Sequence, residues 1–217
     1  MKKTLVIGAS GQIGTELTLA LRSLRGADSV IATDVKEEGA LLKGSGPFEK
    51  LDALDAKALE ALVEKHDIKE IYHLAALLSA SGEKDPNLTW DLNMGSLKNV
   101  LDICVKKKIQ LFWPSSIAVF GPTTPRTMVP QHTLIEPSTM YGITKYAGEL
   151  LCQYYADHRR TAQAHTARRW IDGRGRRVQP QVASLRSTSG ASRVPVECSG
   201  AAVDMIAVCQ CWPGRSG

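Results

Sequence analysis

An α/β fold, a doubly wound parallel sheet with helices on both faces, is predicted for residues 1–157 by three observations. Short apolar, β-branched runs alternate with stretches whose apolar residues recur every three or four positions. The first run enters a glycine-rich turn that opens a helix. The second run is followed by an acid, Asp34.

Taken in order, Thr4–Ile7 reads as a buried strand, and Ile13, Leu17, Leu21 and Leu24 follow at helical spacing. Ser29–Thr33 is a second predicted strand and Phe48–Leu51 a third. Asp55 is placed to cap a helix whose apolar stripe is Leu59, Leu62 and Val63. Ile71–Ala75 is the fourth strand, and a long helix is expected from about Asn87 to Lys107. Gln110–Trp113 starts a fifth strand, and a last helix covers about Met140–Tyr155. Right-handed crossovers join parallel strands.

The alternation stops after Asp157. Residues 1–157 carry fourteen Lys and three Arg against nineteen acids, a net of −2, whereas residues 158–217 carry no Lys, ten Arg and three acids, a net of +7. The formal charge of +5 therefore belongs to the tail and not to the α/β unit. With one Leu, Leu185, the tail holds no strand of convincing length and no recognisable C-terminal substrate lobe. It is expected to be a disordered basic arm or the product of a frameshift, because GC-rich DNA read out of frame yields Arg, Ala, Gly, Ser and Pro. No nucleic-acid partner is expected, since Trp170 and Trp212 stand far apart and no aromatics interleave with the arginines. No run approaches the roughly 18 apolar residues of a membrane span. Thr4–Ile7 is too short for a signal-peptide core, so a cytoplasmic chain without membrane contact is expected. Five Cys make an odd count with no metal-like spacing, and no metal is expected. Cys104 and Cys152 fall on apolar helix faces, as reduced core residues do.

Gly8, Gly11, Gln12, Ile13 and Gly14 join the first strand to the first helix. A pyrophosphate needs free backbone N–H groups at the positive end of a helix, and glycines let it approach the chain. A simple tight turn uses the same residue type, but the strand before and helix after the motif favour dinucleotide binding. Asp34, about 20 residues beyond Gly14, is where a carboxylate meets both adenosine ribose hydroxyls and repels a 2′-phosphate, which favours NAD over NADP. Asp52 and Ala53 follow the third strand and are candidates for the adenine ring, with an N-cap at Asp52 or Asp55 the competing reading. Leu74, Ala75 and Ala76 close the fourth strand with side chains that let a dinucleotide lie close. His73 is expected in a structural, hydrogen-bonded role.

Tyr141 and Lys145 stand four residues apart, on one face of a helix. A free phenol has a pKa of roughly 10, too high for a base at neutral pH. A neighbouring ammonium and a positive nicotinamide ring are expected to lower it, so that Tyr141 takes a proton from an alcohol while hydride leaves the same carbon. Ser116 follows the fifth strand, where doubly wound sheets bind ligands, and is the candidate to hold the substrate oxygen; Ser115 is the neighbouring alternative.

Together Gly8-x-x-Gly11-x-x-Gly14, Asp34, Ser116 and Tyr141-x-x-x-Lys145 resemble the extended short-chain dehydrogenases, a superfamily that includes nucleotide-sugar epimerases and dehydratases. Tyr72–Pro86, Trp113–Arg126 and Glu136–Tyr155 are similar to the L-threonine 3-dehydrogenase family within it. The resemblance covers about residues 2–157. It implies an NAD-binding Rossmann fold and oxidation of L-threonine to 2-amino-3-oxobutanoate with reduction of NAD. It further implies that Ser79 helps bind the amino acid, that Asn93 positions the lysine through water, and that helices 87–107 and 140–157 form a homodimer. Family members continue into a sixth strand, a proline-glycine segment beside the nicotinamide and a small lobe, none recognisable after Asp157. An exposed fifth-strand edge and a half-built pocket are expected to give weak stability and little turnover. A nucleotide-sugar epimerase or dehydratase, or a non-catalytic NAD-binding protein, are the other readings.

Overall fold

A computed structural model describes residues 2–125 and 133–158, and beyond them the backbone of 163–167, 170–171, 177–178 and 207–212. Five parallel strands, β1 (Lys3–Ile7), β2 (Val30–Asp34), β3 (Phe48–Lys50), β4 (Ile68–His73) and β5 (Gln110–Ser115), lie in the order β3-β2-β1-β4-β5. Helices α1 (Gln12–Arg25), α2 (Ala56–Lys65), the short α3 (Ser79–Gly82), α4 (Pro86–Lys107) and α5 (Met140–His158) connect or cover them.

Both sheet faces are buried, as a parallel sheet requires. Along β1, Leu5 and Ile7 join a large core with Leu59, Leu62, Leu97, Leu101, Trp113 and Cys152, while Val6 joins a second core with Leu21, Val30, Ala32 and Leu42. Alternate residues of one strand thus feed cores on opposite sides. Arg22, in the last turn of α1, is buried, donating to Val30 O at 3.2 Å and to the Pro47 carbonyl. It closes the loop between β2 and β3. Cys104 and Cys152 are both buried, and neither forms a disulfide among the described residues. No helix among the described residues is long and apolar enough to cross a membrane.

Register aligns the carboxyl ends of the central strands: Ile7 pairs with Thr33 on one side and His73 on the other. The edge so formed receives the Gly8 turn, the end of β2 and the segment leaving β4.

Two boundaries differ from expectation. β4 runs from Ile68 to His73 instead of Ile71 to Ala75. Asp67, in the left-handed region at φ 51°, turns the chain directly into the strand, so β4 starts early. After His73, the Leu74 N–H donates to Ile7 O at 2.8 Å, and the chain then leaves the ladder against Gly8. Beyond Asp157 no strand of convincing length was expected, yet Ala207–Trp212 pairs antiparallel with β5, Ser115 opposite Ala207 and Phe112 opposite Gln210. Gln163–Ala167 pairs on its far side, and Trp170–Ile171 pairs with Arg177–Val178. Backbone groups on β5 can accept any segment with free N–H and C=O groups, so this edge does not depend on an apolar periodicity. The remaining residues of the tail lie outside the described residues.

Candidate active site

The turn between β1 and α1 is packed without room for side chains. Gly8 has φ 87°, and a Cβ there would stand 2.7 Å from Ala75 N. A Cβ on Gly14 would stand 2.1 Å from Gly8 O. The Gly8 and Ala9 N–H groups both donate to Thr33 O at 2.9 Å, which pins the turn to β2. Gly11 is the N-cap of α1 and no side chain caps that end. The first-turn N–H groups of Gln12 and Ile13 have no intrahelical acceptor, and both residues are exposed. An uncapped helix start above a cradle that any Cβ would fill fits a dinucleotide pyrophosphate.

Asp34 is buried at the end of β2 and accepts from the N–H groups of Ser10 and Lys36, each at 3.0 Å. Its carboxylate faces the same edge as the Gly8 turn. Asp52 is exposed and accepts from Leu54 N–H at 2.9 Å, while Asp55 is the N-cap of α2. Ala53 is buried, its carbonyl accepting from Asn99 Nδ2 at 3.1 Å. Leu74, Ala75 and Ala76 are half-buried beside Gly8. His73 is fully buried with Nε2 3.0 Å from Ser96 Oγ, a core side chain in a structural position. Ser79 is half-buried and opens α3.

Ser116, Tyr141 and Lys145 come together at the end of β5. Ser116 lies near enough to the Tyr141 phenol to favour its ionised form, and it accepts from Ala118 N–H at 3.2 Å. Ser115 instead donates to the buried carboxylate of Glu149, so the two adjacent serines serve different neighbours. Lys145 is buried and donates to Pro114 O at 2.7 Å, its Nζ 4.2 Å from the Trp113 ring centre and 5.6 Å from that of Tyr141.

The electrostatics depart from expectation. Burial pushes the Tyr141 phenol up, opposed by the nearby Ser116 hydroxyl, so that it lies above its ordinary value and not below it. Lys145 is itself pulled down to about 7 by burial, against the opposing influence of Cys152 and Glu149. Desolvation therefore governs this site: the phenol is half-buried, and the lysine's proton is directed at a backbone carbonyl.

Asn93 has direct partners on two segments. Its Oδ1 accepts from Leu77 N–H at 2.8 Å, and its Nδ2 donates to Leu77 O and to Thr144 Oγ1, both at 3.1 Å. The amide clamps the segment after β4 onto α5. Thr144, Glu149 and Glu83, whose carboxylate accepts from Met140 N–H at 2.7 Å, were not anticipated. Glu149 continues the face of Tyr141 and Lys145 by one more turn, which was a usable signal. Glu83 and Thr144 left none, because their partners lie far along the chain.

Residues 4–168 match the NAD dependent epimerase/dehydratase family. An uncharacterized epimerase/dehydratase of Staphylococcus saprophyticus is 53% identical over 157 residues, which cover 71% of this chain and 49% of that protein. The L-threonine dehydrogenase of Clostridium difficile is structurally similar with a TM-score of 0.72 at 45% identity, over 74% of this chain and 51% of that one. A GalE-like L-threonine dehydrogenase of Cupriavidus necator, in its holo form, gives 0.71 at 48% identity, over 73% and 52%. The chain thus spans about half the length of the relatives it matches. A five-stranded 3-2-1-4-5 sheet, a glycine cradle, and matched residues 4–168 lead to one assignment: this chain belongs to the NAD-dependent epimerase/dehydratase family.

Proposed function

We propose that this chain oxidises the β-hydroxyl of L-threonine to 2-amino-3-oxobutanoate, with NAD as hydride acceptor. The observation that carries the reading is the meeting of Ser116, Tyr141 and Lys145 at the carboxyl end of β5, the sheet edge that also receives the Gly8 turn, in a chain 45–48% identical to two solved L-threonine dehydrogenases. NAD, when bound, supplies the hydride acceptor and a positive ring. The N–H groups of Gln12 and Ile13 would hold its pyrophosphate, Asp34 its adenosine ribose, and Asp52–Ala53 its adenine, with Leu74–Ala76 along its flank.

Ser116 would hold the alcohol oxygen in line with Tyr141, which as the phenolate takes its proton; the positive ring of a bound NAD would favour that form against the burial that raises the phenol. Lys145 fixes α5 against β5 through the Pro114 carbonyl. Ser79 would hold the amino-acid end of the substrate, and Asn93 keeps that turn in place through Leu77. A homodimer would form through α4 and α5, where Trp90, Leu150 and Tyr154 are exposed and Trp90, Met94 and Leu151 line a groove of about 330 Å³.

The test is NADH formation by the purified chain with L-threonine, beside a panel including UDP-glucose. Slow, threonine-dependent NADH formation is expected. Conversion of the nucleotide-sugar without any response to threonine would replace this reading with an epimerase, and NAD binding with no turnover would leave a non-catalytic binding protein.

A further inference from the structure

The turn that carries Ser79 is tied at both ends to the helix that carries Tyr141. Before it, Asn93 grips the backbone of Leu77 through two bonds and reaches Thr144 on α5. After it, Glu83 Oε1 accepts from the Met140 N–H at 2.7 Å, across 57 positions of sequence. Thr89 holds the exit of the turn by donating to Gly82 O at 3.0 Å.

Met140 opens α5 and immediately precedes Tyr141. Its N–H is one of the groups that a first helical turn leaves without an acceptor, and a carboxylate there also meets the positive end of the helix. A local cap is already present, since Gly142 N–H donates to Thr139 Oγ1 at 3.0 Å. Starting the helix therefore does not need Glu83. What the Glu83 bond adds is a fixed separation between two segments that nothing else on this side joins by a described hydrogen bond.

We infer that Glu83 is a positioning residue: it holds the Ser79 turn in register with Tyr141, so that a small amino acid with its hydroxyl at Tyr141 meets Ser79 with its other end. The substrate part rests on the threonine reading above; the coupling rests on the hydrogen bonds alone.

Glu83→Ala and Glu83→Gln in the full chain separate the two, because glutamine keeps an oxygen that can accept the Met140 N–H. Hydrogen exchange is expected to quicken in Glu83→Ala, about tenfold, both at Met140–Tyr141 and across residues 78–82, with Glu83→Gln within about twofold of the parent. The KM for L-threonine is expected to rise about tenfold in Glu83→Ala while kcat falls by less than about threefold and NAD affinity holds. Faster exchange at Met140 alone, equal damage from glutamine and alanine, or an unchanged threonine KM overturns the proposal. If the parent chain forms no NADH with threonine, the functional reading fails, and the exchange pattern in residues 78–82 still decides whether the coupling exists.

Discussion

Lys145 donates its ammonium proton to the carbonyl of Pro114 at 2.7 Å, closer to the Trp113 ring than to the Tyr141 ring. The side chain braces α5 against the last parallel strand as well as carrying charge into the site. A buried ammonium with one carbonyl acceptor is costly to fold, which leads to a stability prediction with a definite pH dependence.

Burial holds Lys145 at about 7 in the folded chain against 10.5 unfolded. Below pH 7 both states keep the proton and the full cost of burying it is felt. Between about 7 and 10.5 the unfolded chain binds more protons, so stability rises with pH across that window. Lys145→Met is expected to stabilise the fold by about 1–4 kcal/mol at pH 6, towards the lower end because the Pro114 carbonyl loses its donor, and by less at pH 9. Urea unfolding at the two pH values measures it, and a variant weaker than the parent at pH 6 would mean that bracing outweighs desolvation.

Tyr141→Phe removes only the hydroxyl from a half-buried ring. Turnover of threonine is expected to fall by about 10²- to 10⁴-fold with thermal stability unchanged or slightly raised. NAD affinity by calorimetry should stay within about threefold. A comparable loss of NAD binding would instead make the phenol a cofactor contact first and a base second.

His73 is held at about 3, first by burial and then by the Lys145 charge, against 6.5 unfolded. As pH falls below 6.5 the unfolded chain gains a proton that the folded chain refuses, so stability fades from 6.5 towards 3. Lowering the pH from 7 to 5 should cost about 2 kcal/mol through this group. In His73→Gln the same pH step should cost about that much less, even though the variant starts less stable at pH 7. Parallel acid limbs in the two proteins would contradict the assignment.

Gly14→Ala puts a Cβ 2.1 Å from Gly8 O, against backbone that has no room to move. A loss of about 1–3 kcal/mol in stability is expected, together with NAD affinity too weak for calorimetry. Retention of NAD binding at parental affinity would show that the turn does not hold the pyrophosphate.

Much of this architecture was legible from residue pattern. Thr4–Ile7 followed by three spaced glycines, and Asp34 after the second run, specify a strand–turn–helix and the end of its neighbour, because periodicity and glycine sterics are local. Asp55 as a helix cap was readable for the same reason. What was hidden depends on proximity between distant segments. Nothing local marks Arg22 for burial; the return of the chain through Ser45 and Pro47 encloses it. The Tyr141 phenol was expected to be acidified by Lys145, but its surroundings depend on how closely α5 settles on β5, which spacing along one helix does not report. The division of labour between Ser115 and Ser116 likewise became visible only once Glu149 was seen to take the first of them.

Asp34 spends both carboxylate oxygens on Ser10 and Lys36 before any dinucleotide arrives. Its orientation is set during folding, so little rotational freedom remains to be lost when a ribose docks. The same economy limits redesign: exchanging the acid for a small neutral residue to admit a phosphorylated ribose would also release two amides at the mouth of the crevice. Coenzyme preference and loop integrity are thereby yoked to a single side chain, and a switch to NADP would need compensating acceptors supplied elsewhere in the loop.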